Sequence, residues 1–277
     1  TFENKKINNI DILVGGFPCQ AFSVAGYRKG FEDERGNLFF AIKEFIMHFQ
    51  PKAILLENVK NLKGHDGGRT FGRIFSELDE LGYSVIEDVL NTSKYTEIPQ
   101  NRERMFIVGF KDESDWNNKE IFRKKESICS QAFSFPEKSK VCSKVTDLIL
   151  DVDVDEAFYY TKEKSYMFDM LIDAIDSRET LYQWRRKYVR ENKSNLCPTL
   201  TANMGTGGHN VPLILDYKNK IRKLTPRECF SFQGYDKKFK LPDLANSHLY
   251  KQAGNSVTVP LIEKIAKNIE KALDIKY

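Results

Sequence analysis

Short apolar stretches alternate with amphipathic stretches in the first part of the chain, and this alternation limits the folds open to it. Residues 10–14 and 53–56 are apolar runs of the length and composition of buried strands. Residues 37–49 and 70–81 instead repeat apolar side chains at helical spacing, which predicts two amphipathic helices. Gly82 follows the second of these and is a typical helix stop.

Two more strands are predicted, at residues 83–90 and 104–110. Strands that alternate with helices favour an α/β fold with a mostly parallel sheet. From Lys111 the composition shifts to Ser, Lys, Glu and Asp, and regular periodicity returns only at the predicted helix 260–273. We therefore expect an α/β domain at 1–110, a smaller mixed domain at 111–221, and a segment 222–277 that returns to the first domain.

Reactive side chains are placed where the predicted strands end. Cys19 follows the first strand in a Gly-Gly-Phe-Pro turn, Glu57 ends the second strand, and Arg102 and Arg104 lead into another. Ligands of open α/β sheets bind at such strand ends. Each residue alone has a structural alternative: a packed thiol, a surface strand cap, or an exposed strand face. A thiol, a carboxylate and two guanidinium groups together favour an active site.

The chain resembles the DNA cytosine-5 methyltransferases, especially the bacterial restriction–modification enzymes, over nearly its whole length. Five runs carry the resemblance, and they occur in the family's order. They are Pro18-Cys19-Gln20, Glu57-Asn58-Val59, Gln100 with Arg102 and Arg104, the run 222–229 (RKLTPREC), and Gly254-Asn255-Ser256-Val257. The resemblance implies a Rossmann-like S-adenosylmethionine-dependent methyltransferase sheet with a smaller mixed target recognition domain.

The resemblance also implies a reaction. A methyl group from S-adenosylmethionine would be transferred to carbon 5 of a cytosine that is flipped out of a specific double-stranded DNA sequence. Cys19 would first add to carbon 6, which makes carbon 5 nucleophilic. Glu57 would hold ring nitrogen 3, Arg104 would contact the carbonyl oxygen, and Arg102 would support the site through polar contacts.

Cofactor contacts are implied by resemblance for a small group of residues: Pro18, Leu38, Asn255, Ser256 and Val257. The sequence opens at Thr1, and only residues 1–9 precede the first apolar run. The Phe-x-Gly-x-Gly cofactor loop of the family is not found in it. We therefore expect the first β-α-β unit to be missing from this sequence, either through truncation or because a separate polypeptide supplies it.

Two regions are expected to contact DNA. The loop that follows the catalytic cysteine closes on DNA in the family, and we expect it to be mobile without DNA; its candidate contacts are Gln20, Ser23 and Arg35. The target recognition domain contributes the Thr199-Leu200 dipeptide, Gly207 and Gly208. Arginine can read guanine with two hydrogen bonds, so Arg185, Arg186 and Arg190 are candidate base contacts beside the aromatic residues Tyr182, Trp184 and Tyr188. A phosphate contact, or no contact at all, is an equal alternative for these arginines.

Other features exclude or disfavour several classes of protein. A formal net charge of +4 is too small to indicate nucleic-acid binding by itself, and no apolar run is long enough to span a membrane. Few, unpatterned cysteines favour a cytoplasmic location. Cys129, Cys142, Cys197 and Cys229 lack metal-ligand spacing and the four histidines are scattered, so we expect buried or incidental thiols and no metal.

Two alternative functions remain open from the sequence. The first is a transfer RNA cytosine-5 methyltransferase of the same fold. The second is a DNA-binding subunit of a split methyltransferase that is inactive on its own. A thiol hydrolase is a more distant alternative, since no histidine lies in a motif that could activate Cys19.

Overall fold

The computed structural model describes residues 10–18, 37–111, 128–139, 143–163, 165, 167–185, 187–205 and 211–274. Seven of the predicted site residues lie outside this part of the chain: Cys19, Gln20, Ser23, Arg35, Arg186, Gly207 and Gly208. The chain divides into two compact units. The first unit comprises Thr1–Leu90, Glu103–Pro136 and Ile265–Tyr277, and the second comprises Asn91–Arg102 and Glu137–Lys264.

Strands and helices alternate in the first part of the described chain, whereas the strands from residue 182 to residue 223 follow one another directly. The strands are β1 (Ile12–Gly16), β2 (Ala53–Val59), β3 (Tyr83–Asn91), β4 (Gln100–Asn101), β5 (Glu103–Lys111), β6 (Tyr182–Arg185), β7 (Tyr188–Glu191), β8 (Cys197–Pro198), β9 (Leu213–Leu215) and β10 (Ile221–Lys223). The α-helices are α1 (Asn37–Phe49), α2 (Arg69–Glu80), α3 (Thr92–Tyr95), α4 (Ile128–Ala132), α5 (Phe168–Ala174), α6 (Pro226–Ser231), α7 (Asn246–Asn255) and α8 (Val259–Asp274). Short 3-10 helices span Lys60–Gly68, Val145–Leu148 and Glu156–Phe158.

The first unit is built on a four-stranded sheet in the order β1-β2-β5-β3. β1 and β2 are parallel, and Gly16 at the end of β1 is paired with Glu57. β2 and β5 are antiparallel, with Phe106 opposite Glu57. The sheet is therefore mixed, since β5 runs antiparallel to β2, and apolar periodicity predicts a strand without giving its direction.

Helices α1 and α2 bury apolar side chains in the core of the first unit. Phe39 and Ile46, which lie two helical turns apart on α1, are buried, as are Ile74 and Leu78, one turn apart on α2. Burial of each such side chain stabilises the fold by about 1.5–3 kcal/mol. Lys43 of α1 forms an ion pair with Glu77 of α2 and links the two helices.

The second unit contains a four-stranded antiparallel sheet in the order β10-β9-β6-β7 and a two-stranded parallel pair of β4 and β8. It also contains a buried ion pair. The side chains of Arg222 and Glu228 are both 0% exposed, and their nitrogen and oxygen atoms lie 2.8 Å apart in two places. Thr225 caps the start of α6 through a capping box with the same glutamate. The run 222–229 is thus a folding element of this unit.

The predicted division of the chain differs from the compact units. Residues 91–102 belong to the second unit, because β4 pairs with β8 and Thr92 bonds to Thr258. The terminal helix, predicted at 260–273, is α8. Within the described ranges, no helix is both long and apolar enough to cross a bilayer.

Candidate active site

An ion pair between Glu57 and Arg104 lies at one end of the sheet in the first unit. Phe106 is directly opposite Glu57 across the β2–β5 pair, and Arg104 lies two residues away on the same face of β5. This diagonal placement brings Nε of Arg104 to 2.9 Å from Oε1 of Glu57. The two side chains remain 16% and 22% exposed, so a ligand can reach them.

The ion pair is held in a desolvated setting. Burial lowers the pKa of Arg104 from its ordinary value, and the charge and hydrogen bond of Glu57 oppose that shift. Since an arginine titrates far above neutral pH, the guanidinium stays charged. Its Nη1 also donates to the carbonyl oxygen of Glu103 at 2.9 Å, which leaves further N–H groups for a ligand.

Glu57 lies beside the end of β1. A Cβ atom added to Gly16 would be 3.4 Å from Oε2 of Glu57. Only Phe17 and Pro18 separate Gly16 from Cys19 in the sequence. The carboxylate is thus placed at the strand end that leads to the predicted nucleophile, which itself lies outside the described residues.

Asn58 is a functional candidate that the sequence reasoning did not single out. Its side chain is buried, donates from Nδ2 to the carbonyl oxygen of Phe17 at 2.7 Å, and accepts from the backbone N–H of Val59 at 2.8 Å. Phe17 in turn packs on Phe39 of α1, with ring centroids 5.4 Å apart. Asn58 therefore fixes the backbone that precedes Cys19, and its place in the Glu57-Asn58-Val59 run was the available signal.

Arg102 lies in the second unit and binds backbone carbonyl groups. Its guanidinium donates to Leu200 at 2.9 Å, to Gly254 at 3.2 Å and to Ser256 at 2.7 Å. The residue is only 2% exposed. These are the polar contacts expected of a supporting residue, and they join two segments that the resemblance assigned to DNA and to cofactor.

The segment from Gly254 to Val257 packs closely on the loop that follows Thr199-Leu200. A Cβ atom at Gly254 would lie 2.2 Å from the carbonyl carbon of Thr201, so only glycine fits there. Asn255 is exposed at the end of α7, while Ser256 donates to the carbonyl oxygen of Ala253 at 3.0 Å.

The Thr199-Leu200 dipeptide is held by β4. Oγ1 of Thr199 donates to the carbonyl oxygen of Asn101 at 2.6 Å, and the Leu200 side chain is 1% exposed within a hydrophobic cluster. Leu200 is a packing group here, so its side chain is not placed to touch DNA. Thr199 is partly exposed, and its DNA contact stays a prediction.

The predicted DNA-contacting residues of β6 and β7 separate into two sets. Arg185 and Arg190 are exposed. Tyr182 and Trp184 are 1% and 7% exposed and pack in the core, so they contribute to the packing of this unit. Tyr188 is 56% exposed.

The described cysteines are buried. Cys129, Cys197 and Cys229 lie in the interior, and burial raises the pKa of the Cys197 and Cys229 thiols well above the ordinary value. A thiol with a raised pKa is a poor nucleophile, which fits the expected packing role of these two. Among the described residues, no three His, Cys, Asp or Glu side chains are grouped as metal ligands would be.

Comparisons of sequence point to one family. The family model described as C-5 cytosine-specific DNA methylase matches residues 1–271. The chain is 53% identical over 269 residues to the Type II methyltransferase M.Bsp6I of Bacillus sp. (strain RFL6), covering 96% of this chain and 81% of that protein. It is 34% identical over 284 residues to the Type II methyltransferase M.HhaI of Haemophilus parahaemolyticus, covering 98% and 79%.

Solved structures share the fold at lower identity. A mutant of the Spodoptera frugiperda DNMT2 matches with a TM-score of 0.66 at 20% identity, covering 95% of this chain and 80% of that one. The S. pombe Dnmt2 methyltransferase matches with a TM-score of 0.62 at 16% identity, covering 95% and 78%. The expected methyltransferase fold is confirmed.

Proposed function

The chain belongs to the C-5 cytosine-specific DNA methylases of bacterial restriction–modification systems, and from this premise we propose that it acts through a covalent adduct of Cys19 with a flipped-out cytosine. It is a DNA cytosine-5 methyltransferase with S-adenosylmethionine as methyl donor. The single observation that carries the proposal is the Glu57–Arg104 ion pair, accessible at the strand end that leads to Cys19.

The proposed reaction begins with the thiolate of Cys19. It forms a bond to carbon 6 of cytosine, and the electron pair of the 5,6 double bond becomes available at carbon 5. When bound, S-adenosylmethionine supplies an electrophilic methyl group to that carbon. A base then removes the proton from carbon 5, the sulfur–carbon bond breaks, and the double bond is restored. The target carbon is hidden in a duplex, so the base must leave the stack first.

Glu57 and Arg104 divide the recognition of the cytosine ring. In this proposal the Glu57 carboxyl group holds ring nitrogen 3, where electron density increases during thiolate attack. Arg104 donates to the carbonyl oxygen at carbon 2. Their mutual contact at 2.9 Å supports this division, because it orients both groups before the base arrives. Asn58 positions the backbone at Phe17, and thereby the approach to Cys19.

The described residues fit the cofactor by their chemistry. Leu38 in the first turn of α1 is 48% exposed although its neighbour Phe39 is buried, so an apolar side chain is available to an adenine ring. Pro18 is also partly exposed. In the second unit, Asn255 offers an exposed amide for polar groups, and Arg102 fixes the backbone on either side of it. Val257 completes the proposed contacts.

Transfer of labelled methyl groups to nucleic acid tests the proposal. The chain is incubated with labelled S-adenosylmethionine and either duplex DNA or transfer RNA, alongside a Cys19→Ser variant and a Cys197→Ser control. We expect label on duplex DNA from the parent chain and the control, and none from Cys19→Ser. If Cys19→Ser were as active as the parent chain, the role of Cys19 as nucleophile would be refuted. Label on transfer RNA alone would establish the RNA alternative.

A further inference from the structure

One face of the β6–β7 hairpin presents two arginines to solvent in an ordered arrangement. In the antiparallel register, Gln183 is opposite Arg190 and Arg185 is opposite Tyr188. Because opposite residues share a face and alternate residues along a strand do too, these four side chains lie on the same side of the hairpin. Tyr182, Trp184 and Val189 occupy the other side and pack against Leu213 and Ile221.

The amide of Gln183 orients both guanidinium groups. Its Oε1 accepts from Nη2 of Arg185 at 3.2 Å and from Nη2 of Arg190. Gln183 is itself only 8% exposed, so its amide is held firmly, whereas both arginines are exposed. A carbonyl oxygen has two lone pairs, and each guanidinium has five N–H groups. Each arginine therefore keeps donors that point away from Gln183.

The positive charge of this face is not neutralised within the part of the chain that the structure describes. No described carboxylate lies within 4 Å of either guanidinium, in contrast to Arg178, which lies 4.0 Å from Asp151. Two like charges that meet on one neutral acceptor repel each other, and an electron-rich ligand would relieve that repulsion.

Hydrogen bonds also close the base of the hairpin. Thr180 donates to the carbonyl oxygen of Asn192 at 2.9 Å, and the N–H of Asn192 donates to Leu181 at 2.8 Å, which closes its base. A two-stranded ribbon has the width of the major groove of B-form DNA, where guanine presents the acceptors N7 and O6 to a guanidinium fork.

We propose that the β6–β7 hairpin determines sequence specificity, with Arg185 and Arg190 reading guanine in the major groove and Gln183 as the residue that positions them. This inference rests on the proposed function for its substrate, duplex DNA. It assigns a role in base reading to two arginines for which a phosphate contact was an equal alternative, and to a glutamine that no motif indicated.

Selection of bound duplexes from a random library gives the recognition sequence without any need for methyl transfer. Each guanine in that sequence is then replaced by 7-deazaguanine, which lacks the N7 acceptor, and Kd is measured for the parent chain. We expect at least one replacement to weaken binding about 5- to 100-fold. The proposal would be overturned if no replacement changed the Kd of the parent chain, or if the library yielded no preferred sequence.

Variants of the hairpin then show which side chain contacts the guanine. Arg185→Lys and Arg190→Lys keep the charge but lose the fork, so at least one of them should bind the natural and the modified duplex equally. Gln183→Leu should lower discrimination between selected and unselected duplexes while its affinity for unselected DNA is unchanged, which a loss of folding would not produce. Arg178→Lys, the matched control, should behave as the parent chain. If all three hairpin variants lose as much affinity as the parent chain when guanine is replaced by 7-deazaguanine, the inference is contradicted.

Failure of the proposed function gives a different result. A chain that selects a guanine-dependent sequence but transfers no methyl group to it would favour a DNA-binding subunit over methyl transfer by this chain alone, and would leave the hairpin assignment intact.

Discussion

Individual polar side chains of this protein divide into those that bind backbone and those left open to a ligand. Arg102 and Arg104 are two residues apart, yet the first is 2% exposed and donates to three carbonyl groups, whereas the second shares a partly open site with Glu57. The sequence pattern does not distinguish the two arginines. Their surroundings in the structure do: Arg102 can only position other groups, whereas Arg104 can contact substrate.

Replacement of Glu57 by glutamine tests its role at the ring. Glu57→Gln keeps the size of the side chain and can still accept from Arg104, but it cannot be ionised or deliver a proton. We expect the single-turnover rate of DNA methylation to fall about 10²- to 10⁴-fold, the range of general acid–base contributions. Glu103→Gln is the matched control, since that carboxylate pairs with the exposed Lys60, and its rate should be unchanged. If Glu57→Gln were as active as the parent chain, Glu57 would have no role in the reaction.

Two residues stabilise the fold through contacts between secondary-structure elements, a role that their residue type alone does not indicate. Gly254 near the end of α7 lies against the Thr201–Ala202 backbone, and Glu77 of α2 forms ion pairs with Lys43 of α1 and with Arg73 of its own helix. The contact of Gly254 with the Thr201–Ala202 backbone and the Lys43–Glu77 ion pair each join segments that are distant in sequence.

Substitution of Gly254 by alanine should destabilise the fold. The new methyl group would lie 2.2 Å from a backbone carbon, so the α7 end or the Thr201 loop must move. We expect the free energy of unfolding to fall by about 1–3 kcal/mol, the usual cost of overpacking. Gly72→Ala is the control, because nothing lies within 4 Å of a Cβ there and helix propensity favours alanine by about 1 kcal/mol. Urea unfolding of both variants measures the difference, and equal stability would disprove the close approach.

Glu77 should make stability sensitive to acid. The hydrogen bond from Lys43, more than that from Arg73, lowers the pKa of this carboxyl group below its usual value. A lowered folded-state pKa means that the stabilisation is complete above the unfolded-state pKa and is lost as pH falls through the folded-state value. Unfolding free energies measured from neutral pH down to about pH 3 should therefore fall less steeply for Glu77→Gln than for the parent chain or Glu80→Gln. Equal slopes would contradict this assignment.

Elements with strong periodicity could be predicted from sequence, whereas their directions and partners could not. The bounds predicted for the first helix are those of α1, and the second agrees with α2 within one residue, because side chains such as Phe39 and Leu78 recur at helical spacing. The antiparallel pairing of β5 depends on long-range contacts that no local pattern encodes. The same holds for Leu200 and Trp184, whose burial follows from tertiary packing.

At the scale of the whole molecule, the motifs that carry the chemistry are distributed over both compact units. Glu57 and Arg104 belong to the first, and Arg102, Thr199 and Asn255 belong to the second. The chain passes between the units at Arg102 and Glu103, so the Gln100–Arg104 run contributes to both. Sequence motifs identified the reaction because each has a chemical requirement. The sequence offered Arg185 and Arg190 as candidate base contacts, but only the strand register places them on one face of the hairpin with Gln183.

Covalent trapping on DNA tests the central claim most directly. A duplex that contains the recognition sequence with 5-fluorocytosine at the target position is incubated with the chain and S-adenosylmethionine, then denatured and digested for mass analysis. Fluorine at carbon 5 cannot leave as a proton does, so the adduct should persist after methyl transfer. We predict a stable protein–DNA complex whose cross-linked peptide contains Cys19, and no complex with Cys19→Ser. An adduct on a peptide without Cys19, or methyl transfer to ordinary cytosine by Cys19→Ser, would contradict the proposed mechanism.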